Sequence, residues 1–238
     1  MTAKDFRVEV FSVLMARGWY AQAAPALVSG WALDADARME QMAAHVQVIA
    51  PSLAELFAVQ VAAPRAMIER WRLENVLLLG GGLPTPFSPT AGQVTYYTDS
   101  SAATIVEAAA AGYPAYLVDA RNAEELTLVA DAETAVSANL LHFLPDDHVW
   151  SLLDYMARVG FHEVAFLHPC PLARVDNPWG HLGLRAYART REQLEMLLPM
   201  PWRLAAAVTT GALFAGTPEL AGLFRHHQQS LAYLISTA

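Results

Sequence analysis

Apolar positions follow two rhythms along the chain. Up to about Leu73 they recur every three or four residues, through "DFRVEVFSVLMARGWYAQAAPALVSGWAL" and "DARMEQMAAHVQVIAPSLAELFAVQVAAPRAMIERW". These segments are rich in Ala, Leu, Met and Glu, and the spacing predicts helices. Pro25, Pro51 and Pro64 are expected at helix starts or breaks. From Glu74 the rhythm shortens to aliphatic or β-branched runs: "NVLLLG", "QVTYYTD", "PAYLVDA", "ETAVSAN", "HEVAFLH", "GLRAYA" and "WRLAAAV". Helical stretches separate several of them, notably "SSAATIVEAAAAG" and "PDDHVWSLLDYMARVG", with Gly112 and Gly160 where helices should end. Strands alternating with helices at this spacing predict an α/β fold with a parallel sheet covered on both faces. "VLLL" has no alternation at all, as suits a strand buried on both sides. Residues 1–73 are expected to form an N-terminal helical cap and 74–238 the sheet domain, with no low-complexity linker between them.

Composition narrows the function classes. Apolar residues make up 55% and charged residues 16%, so the chain can build a large core. A formal charge of −8, with no Lys/Arg cluster, argues against a nucleic-acid partner. Cys170 is the single cysteine, which excludes an internal disulfide and a cysteine-based metal cage. The start "MTAKDFRVEV" lacks a secretory pattern, and no apolar run approaches the ~18 residues of a membrane span. A soluble cytoplasmic protein is expected, with no metal and no membrane partner; a homodimer is compatible with the sequence.

In an open parallel sheet, ligands bind beyond the carboxyl ends of the strands. Gly80, Gly81 and Gly82 follow the first predicted strand, Asp99 the second, Asp119 the third and Asn139 the fourth. Glycines let a ligand approach the main chain, and a carboxylate at Asp99 suits two ribose hydroxyls. Glycines also serve tight turns, and Asp99 and Asp119 also suit helix starts and turns. The order of glycines, acid and acid, each at a strand end, favours the ligand reading. No G-x-G-x-x-G or G-x-x-x-x-G-K-[ST] is present, and Pro84 and Pro86 disfavour an immediate helix, so the pocket suits a nucleoside without a phosphate chain.

On "VLLLGGG", "VTYYTD", "YLVDARN" and "ETAVSANLLHFLPDDHVWSLLDYMARVG", the chain resembles the class I S-adenosylmethionine-dependent methyltransferases over roughly residues 65–208. "PRAMIERW" ahead of "LLLGGGLPTPF" is most similar to the leucine carboxyl methyltransferase and polyketide O-methyltransferase branch. The resemblance implies a doubly wound, mostly parallel, seven-stranded Rossmann-like sheet and S-adenosylmethionine as cofactor. It implies Arg65 for the cofactor carboxylate, Gly80 and Gly82 along the methionine moiety, Asp99 on the ribose, and Asp119 and Ala120 beside the adenine. Arg65 reads equally as a surface helix charge. The branch follows its glycines with Leu-Asp-Thr-Arg, where this chain has Leu83-Pro84-Thr85-Pro86. It carries a glutamate after the fourth strand, where this chain has Ala138.

Methyl transfer needs chiefly alignment, and an oxygen nucleophile also benefits from a base. Of eight histidines, His168 at the end of the fifth strand and His181 in the following loop are the favoured catalytic candidates, ahead of His142. The expected function is S-adenosylmethionine-dependent methylation of a small molecule, at oxygen of a natural-product-like or carboxylate acceptor. The alternative is a methyltransferase fold that catalyses another reaction, such as a cyclisation or elimination, or serves as a non-catalytic partner subunit.

Overall fold

A computed structural model of the chain describes residues 51–82, 84–85, 87–129, 131–138, 140–169, 187, 189–215 and 230–237. Seven strands form one sheet: β1 (Val76–Leu79), β2 (Tyr96–Asp99), β3 (Ala115–Leu117), β4 (Thr134–Ser137), β5 (Glu163–Pro169), β6 (Arg203–Thr209) and β7 (Ser230–Ser236). Their order is β3-β2-β1-β4-β5-β7-β6. The first five strands pair in parallel, and β7 runs antiparallel to both of its neighbours. This is the expected doubly wound, mostly parallel sheet.

Both faces of the sheet are covered. Val76 and Leu78 of β1 pack with Met67 and Ile68 of α1 (Pro51–Trp71), Ala108 of α2 (Ala102–Ala110) and Leu213 of α5 (Thr210–Leu213). Leu77 and Leu79 point the other way. They pack with Leu126 and Val129 of a 3-10 segment (Ala123–Val129), Val149, Leu152 and Met156 of α3 (Asp146–Arg158) and Leu194 of α4 (Arg191–Leu197). A strand with core on both sides has no polar face to show, hence the unbroken "VLLL".

The structure departs from the sequence reading at Pro64 and in the last strand of the sheet. Pro64 lies inside α1 rather than at a break. Its missing amide is tolerated because Ala62, Ala63, Met67 and Ile68 around it are buried against the sheet, and this burial outweighs one lost helical bond. The expected strand "GLRAYA" falls outside the described residues except for Tyr187, which is not in a strand. The seventh strand is instead "SLAYLIS", inserted between β5 and β6. Residues 1–50, most of the expected cap, lie outside the described residues. The described part of that front, α1, is a layer of the sheet's own core.

Candidate active site

The chain leaves β1 at the point where the strand order reverses, with β2 on one side and β4 on the other. This switch point is where open α/β sheets leave a crevice. The three glycines stand at its mouth, each for a different physical reason. Gly80 has φ +65, a left-handed conformation, and a Cβ there would meet Leu140 Cβ at 3.2 Å. Gly81 lies on the ring of Tyr97, where a Cβ would meet Cε1 and Cζ at 2.5 Å. Gly82, with φ +66, faces open space: among the described residues, no atom beyond its chain neighbours lies within 4 Å of a Cβ placed there. Only the last of the three presents bare backbone outward.

Three consecutive residues of β2 hold this bend. Gly81 N donates to Thr98 O at 2.9 Å, Gly82 N to Asp99 Oδ2 at 3.0 Å, and Tyr97 Oη to Gly82 O at 2.6 Å. Asp99 therefore faces the glycine bend. Its Oδ1 accepts the Ser101 amide at 2.9 Å, and Ser101 in turn caps α2 by accepting from Thr104 N. A carboxylate offers about four acceptor positions, so room for a further donor remains beside these amides. Burial raises its pKa, partly offset by the amides of Ser101, Gly82 and Ser100.

Asp119 lies two residues past β3, and Arg121 occupies its carboxylate: Nε lies 3.0 Å from each oxygen, and the Arg121 amide 3.0 Å from Oδ1. The guanidinium lowers the Asp119 pKa. Ala120 beside it is buried. Arg65 is exposed on α1, its Nε 2.9 Å from Glu69 Oε1 one turn on, the geometry of a surface helix pair. Asn139 and His181 lie outside the described residues. Thr85 and Ser88 are bonded to each other, with Thr85 N donating to Ser88 Oγ and Ser88 N to Thr85 O. Among the described residues no α-helix follows the glycines directly, as the prolines predict.

His168 is buried at the end of β5, and its Nε2 accepts the Arg189 amide at 3.1 Å. Burial, His142 and Arg189 depress its pKa to about 3. The ring is therefore neutral with its proton on Nδ1, and its basic nitrogen is already bonded. His142, in a 3-10 turn (Leu141–Phe143), is also buried, with a ring centroid 6.3 Å from that of His168 and a pKa depressed to about 4 by burial and Arg189. Arg189 ties the two loops together. Its Nε donates to Asp146 Oδ1 at 2.8 Å, Nη1 to Leu141 O at 3.1 Å, and Nη2 to Leu144 O at 2.7 Å.

Sequence reasoning passed over Tyr97, Ser137 and Arg189. Tyr97 had a readable signal, since one tyrosine of "YYTD" must point inward beneath the glycines. Arg189 had none, because nothing local separates it from Arg191, which pairs with Glu195 on the surface. Among the described residues, no cluster of metal-ligating side chains occurs, and no helix is long and apolar enough to cross a membrane.

No protein-family model matches the chain, and no curated protein matches it. Solved structures do. A DUF574 family protein from Streptomyces avermitilis is similar with a TM-score of 0.58 and 12% identity, over 83% of this chain and 90% of that one. An S-adenosylmethionine-dependent methyltransferase from Mesorhizobium loti gives 0.53 and 15%, over 75% and 99%. The magnesium protoporphyrin IX methyltransferase of Synechocystis, solved with bound S-adenosylhomocysteine, gives 0.53 and 13%, over 77% and 85%. The chain has the seven-stranded fold of the class I S-adenosylmethionine-dependent methyltransferases.

Proposed function

We propose that the chain is an S-adenosylmethionine-dependent methyltransferase that modifies an oxygen of a small-molecule acceptor. The observation that carries this reading is the Asp99 carboxylate turned onto the Gly82 amide at the sheet's switch point, with acceptor positions to spare and open space beside Gly82. Those features fit an adenosine: the carboxylate takes ribose hydroxyls, and the Gly80–Gly82 backbone admits a chain that side chains would block. Asp119, Ala120 and Asn139 follow at the next strand ends. Arg65 joins the set only if its guanidinium leaves Glu69.

When bound, the cofactor supplies a methyl group already activated on a sulfonium. The protein's task is then to orient the acceptor and exclude water. His168 serves as a hydrogen-bond donor through Nδ1, because the Arg189 amide occupies its basic nitrogen. His181 is the candidate for taking the acceptor's proton. Isothermal titration with S-adenosylmethionine and S-adenosylhomocysteine tests the cofactor assignment. Binding of both is expected, and absence of binding at millimolar concentration would remove it.

A second reading keeps the fold and the nucleoside but drops methyl transfer. Arg121 on the Asp119 carboxylate favours it, together with Pro84, Pro86 and Ala138 in place of the groups the family resemblance implies. Methyl-labelled cofactor incubated with small carboxylates and phenols separates the two, since label in any product excludes the second.

A further inference from the structure

At the carboxyl ends of β4 and β5, three buried side-chain atoms have no hydrogen-bond partner among the described residues: Ser137 Oγ, His142 Nδ1 and His168 Nδ1. Native interiors rarely leave such atoms unpaired, and each one calls for water, an ion or a ligand. Three in one place make a pattern.

Two of them share one face of the sheet. Ser137 pairs in register with Phe166, and His168 follows two residues later on the same strand, so the side chains of Ser137 and His168 project to the same side. That side is the one on which Ala135, Phe166, Leu141 and Val149 pack. Phe166 and His168 touch edge to face at 6.5 Å, and His142 reaches His168 from the loop after β4. The cluster borders the post-β4 loop whose Leu140 packs on Gly80, next to the cofactor crevice.

The chemistry of the three atoms is one-sided. His168 Nδ1 must be a donor, because Nε2 accepts from Arg189 N. Ser137 Oγ has a hydroxyl hydrogen to donate, and His142 Nδ1 carries a hydrogen in one neutral tautomer. Behind both imidazoles stands the buried Arg189 guanidinium, whose single carboxylate partner, Asp146, is 72% exposed; its other acceptors are the carbonyls of Leu141, Leu144 and Tyr187. Donors facing inward with a cation behind them suit an electron-rich oxygen.

We propose that Ser137, His142 and His168, backed by Arg189, form a buried subsite for a carboxylate of the methyl acceptor. This rests on the methyltransferase reading for its purpose but not for its chemistry. It also accounts for a buried histidine whose basic nitrogen is blocked, since the ring positions the acceptor and leaves its proton to another group.

The test uses the full chain with 15N-labelled histidine, titrated with acetate and with the neutral isostere acetamide, each with and without saturating S-adenosylhomocysteine. Acetate is expected to shift the Nδ1 resonances of His142 and His168, acetamide to shift them far less, and Ser137→Ala to weaken the acetate response about tenfold. Equal responses to the two probes, or silent rings while S-adenosylhomocysteine still binds, overturn the subsite and assign the unpaired atoms to ordered water. Rings that respond to acetate in a protein that binds no S-adenosylhomocysteine support the subsite and overturn the methyltransferase reading instead.

Discussion

Tyr97 lies directly beneath Gly81, so close that a Cβ on the glycine would meet the ring at 2.5 Å, and its hydroxyl donates to the carbonyl of Gly82 at 2.6 Å. The ring is fully buried and packs on Tyr113 at 4.7 Å, so it has no room to swing away. Gly81 is therefore a glycine because of the protein, not because of a ligand. Gly81→Ala should cost roughly 1–3 kcal/mol in urea unfolding, the usual range for overpacking a tight site. In a Tyr97→Ala background the same change should cost markedly less, and the difference measures the contact. Equal costs in both backgrounds would mean that the ring is not what excludes a side chain at 81.

Asp99 yields a prediction about pH. Burial raises its pKa, so the native state favours the protonated acid more than the unfolded chain does. Its contribution to stability is complete below the unfolded value and is lost as pH rises through the raised native one. Ribose binding has the opposite sign, because two hydroxyl donors need the ionised carboxylate. Titration calorimetry from neutral pH downward should show S-adenosylhomocysteine affinity beginning to fall above the range where ordinary aspartates titrate. Asp99→Asn should bind on the order of tenfold or more weakly, since the amide nitrogen that replaces one carboxylate oxygen only donates, and the single remaining oxygen cannot serve the Gly82 and Ser101 amides and the hydroxyls together. Its remaining affinity should lose the acidic limb.

The contrast between Asp99 and Gly81 shows what local pattern can carry. Strand ends are legible because apolar runs stop there, and position relative to the sheet follows from the α/β rhythm. The bend of 80–82, Asp99 and Asp119 at successive strand ends could therefore be placed before any coordinates. Which donor meets which acceptor depends on partners 15 to 20 residues away in sequence, such as the Tyr97 hydroxyl on Gly82 O and the Thr98 hydroxyl on Leu78 O. "SLAYLIS" went unread because a short apolar run fits helix or strand equally until its neighbours are known. Here those neighbours are β5 and β6, distant in the chain.

Arg65 can be separated from the cofactor by a simple substitution. Its guanidinium and the Glu69 carboxylate are about half exposed, and such pairs are worth ~0–1 kcal/mol. Arg65→Ala should leave stability within about 0.5 kcal/mol and S-adenosylhomocysteine affinity within about twofold. A tenfold or greater loss of affinity would show that the side chain abandons Glu69 when the cofactor arrives.

The two buried imidazoles should make the protein sensitive to acid. Their native pKa values lie at about 4 for His142 and about 3 for His168, far below the 6.5 of an exposed histidine. The unfolded chain takes up these protons below about pH 6.5 while the native state refuses them. Stability should therefore be flat above that point and fall below it, each ring contributing up to about 1.4 kcal/mol per pH unit until its native value is reached. Urea midpoints measured across this window should show the slope. Replacing His168 with Gln, whose carbonyl can still accept the Arg189 amide, should make it shallower.

Arg189 and Asp146 form an ion pair whose two ends should matter very unequally. The guanidinium is 5% exposed and satisfies the carbonyls of Leu141 and Leu144, whereas the carboxylate is 72% exposed. Removing Asp146 leaves Arg189 its carbonyl partners and returns one face of the charge to water, so Asp146→Ala should cost less than about 1 kcal/mol. Removing Arg189 takes the side-chain donor from the buried carbonyl of Leu144 and leaves Leu141 O with only the long Leu144 amide bond, at roughly 1–3 kcal/mol for each one left unsatisfied. It also frees the backbone amide that sets the His168 tautomer to shift with the loosened loop. Arg189→Ala should therefore cost roughly 2–4 kcal/mol and let the His168 proton exchange between ring nitrogens, visible as averaging of its two 15N resonances. Comparable costs for the two substitutions would mean that the charge pair, and not the carbonyl network, joins the loops after β4 and β5.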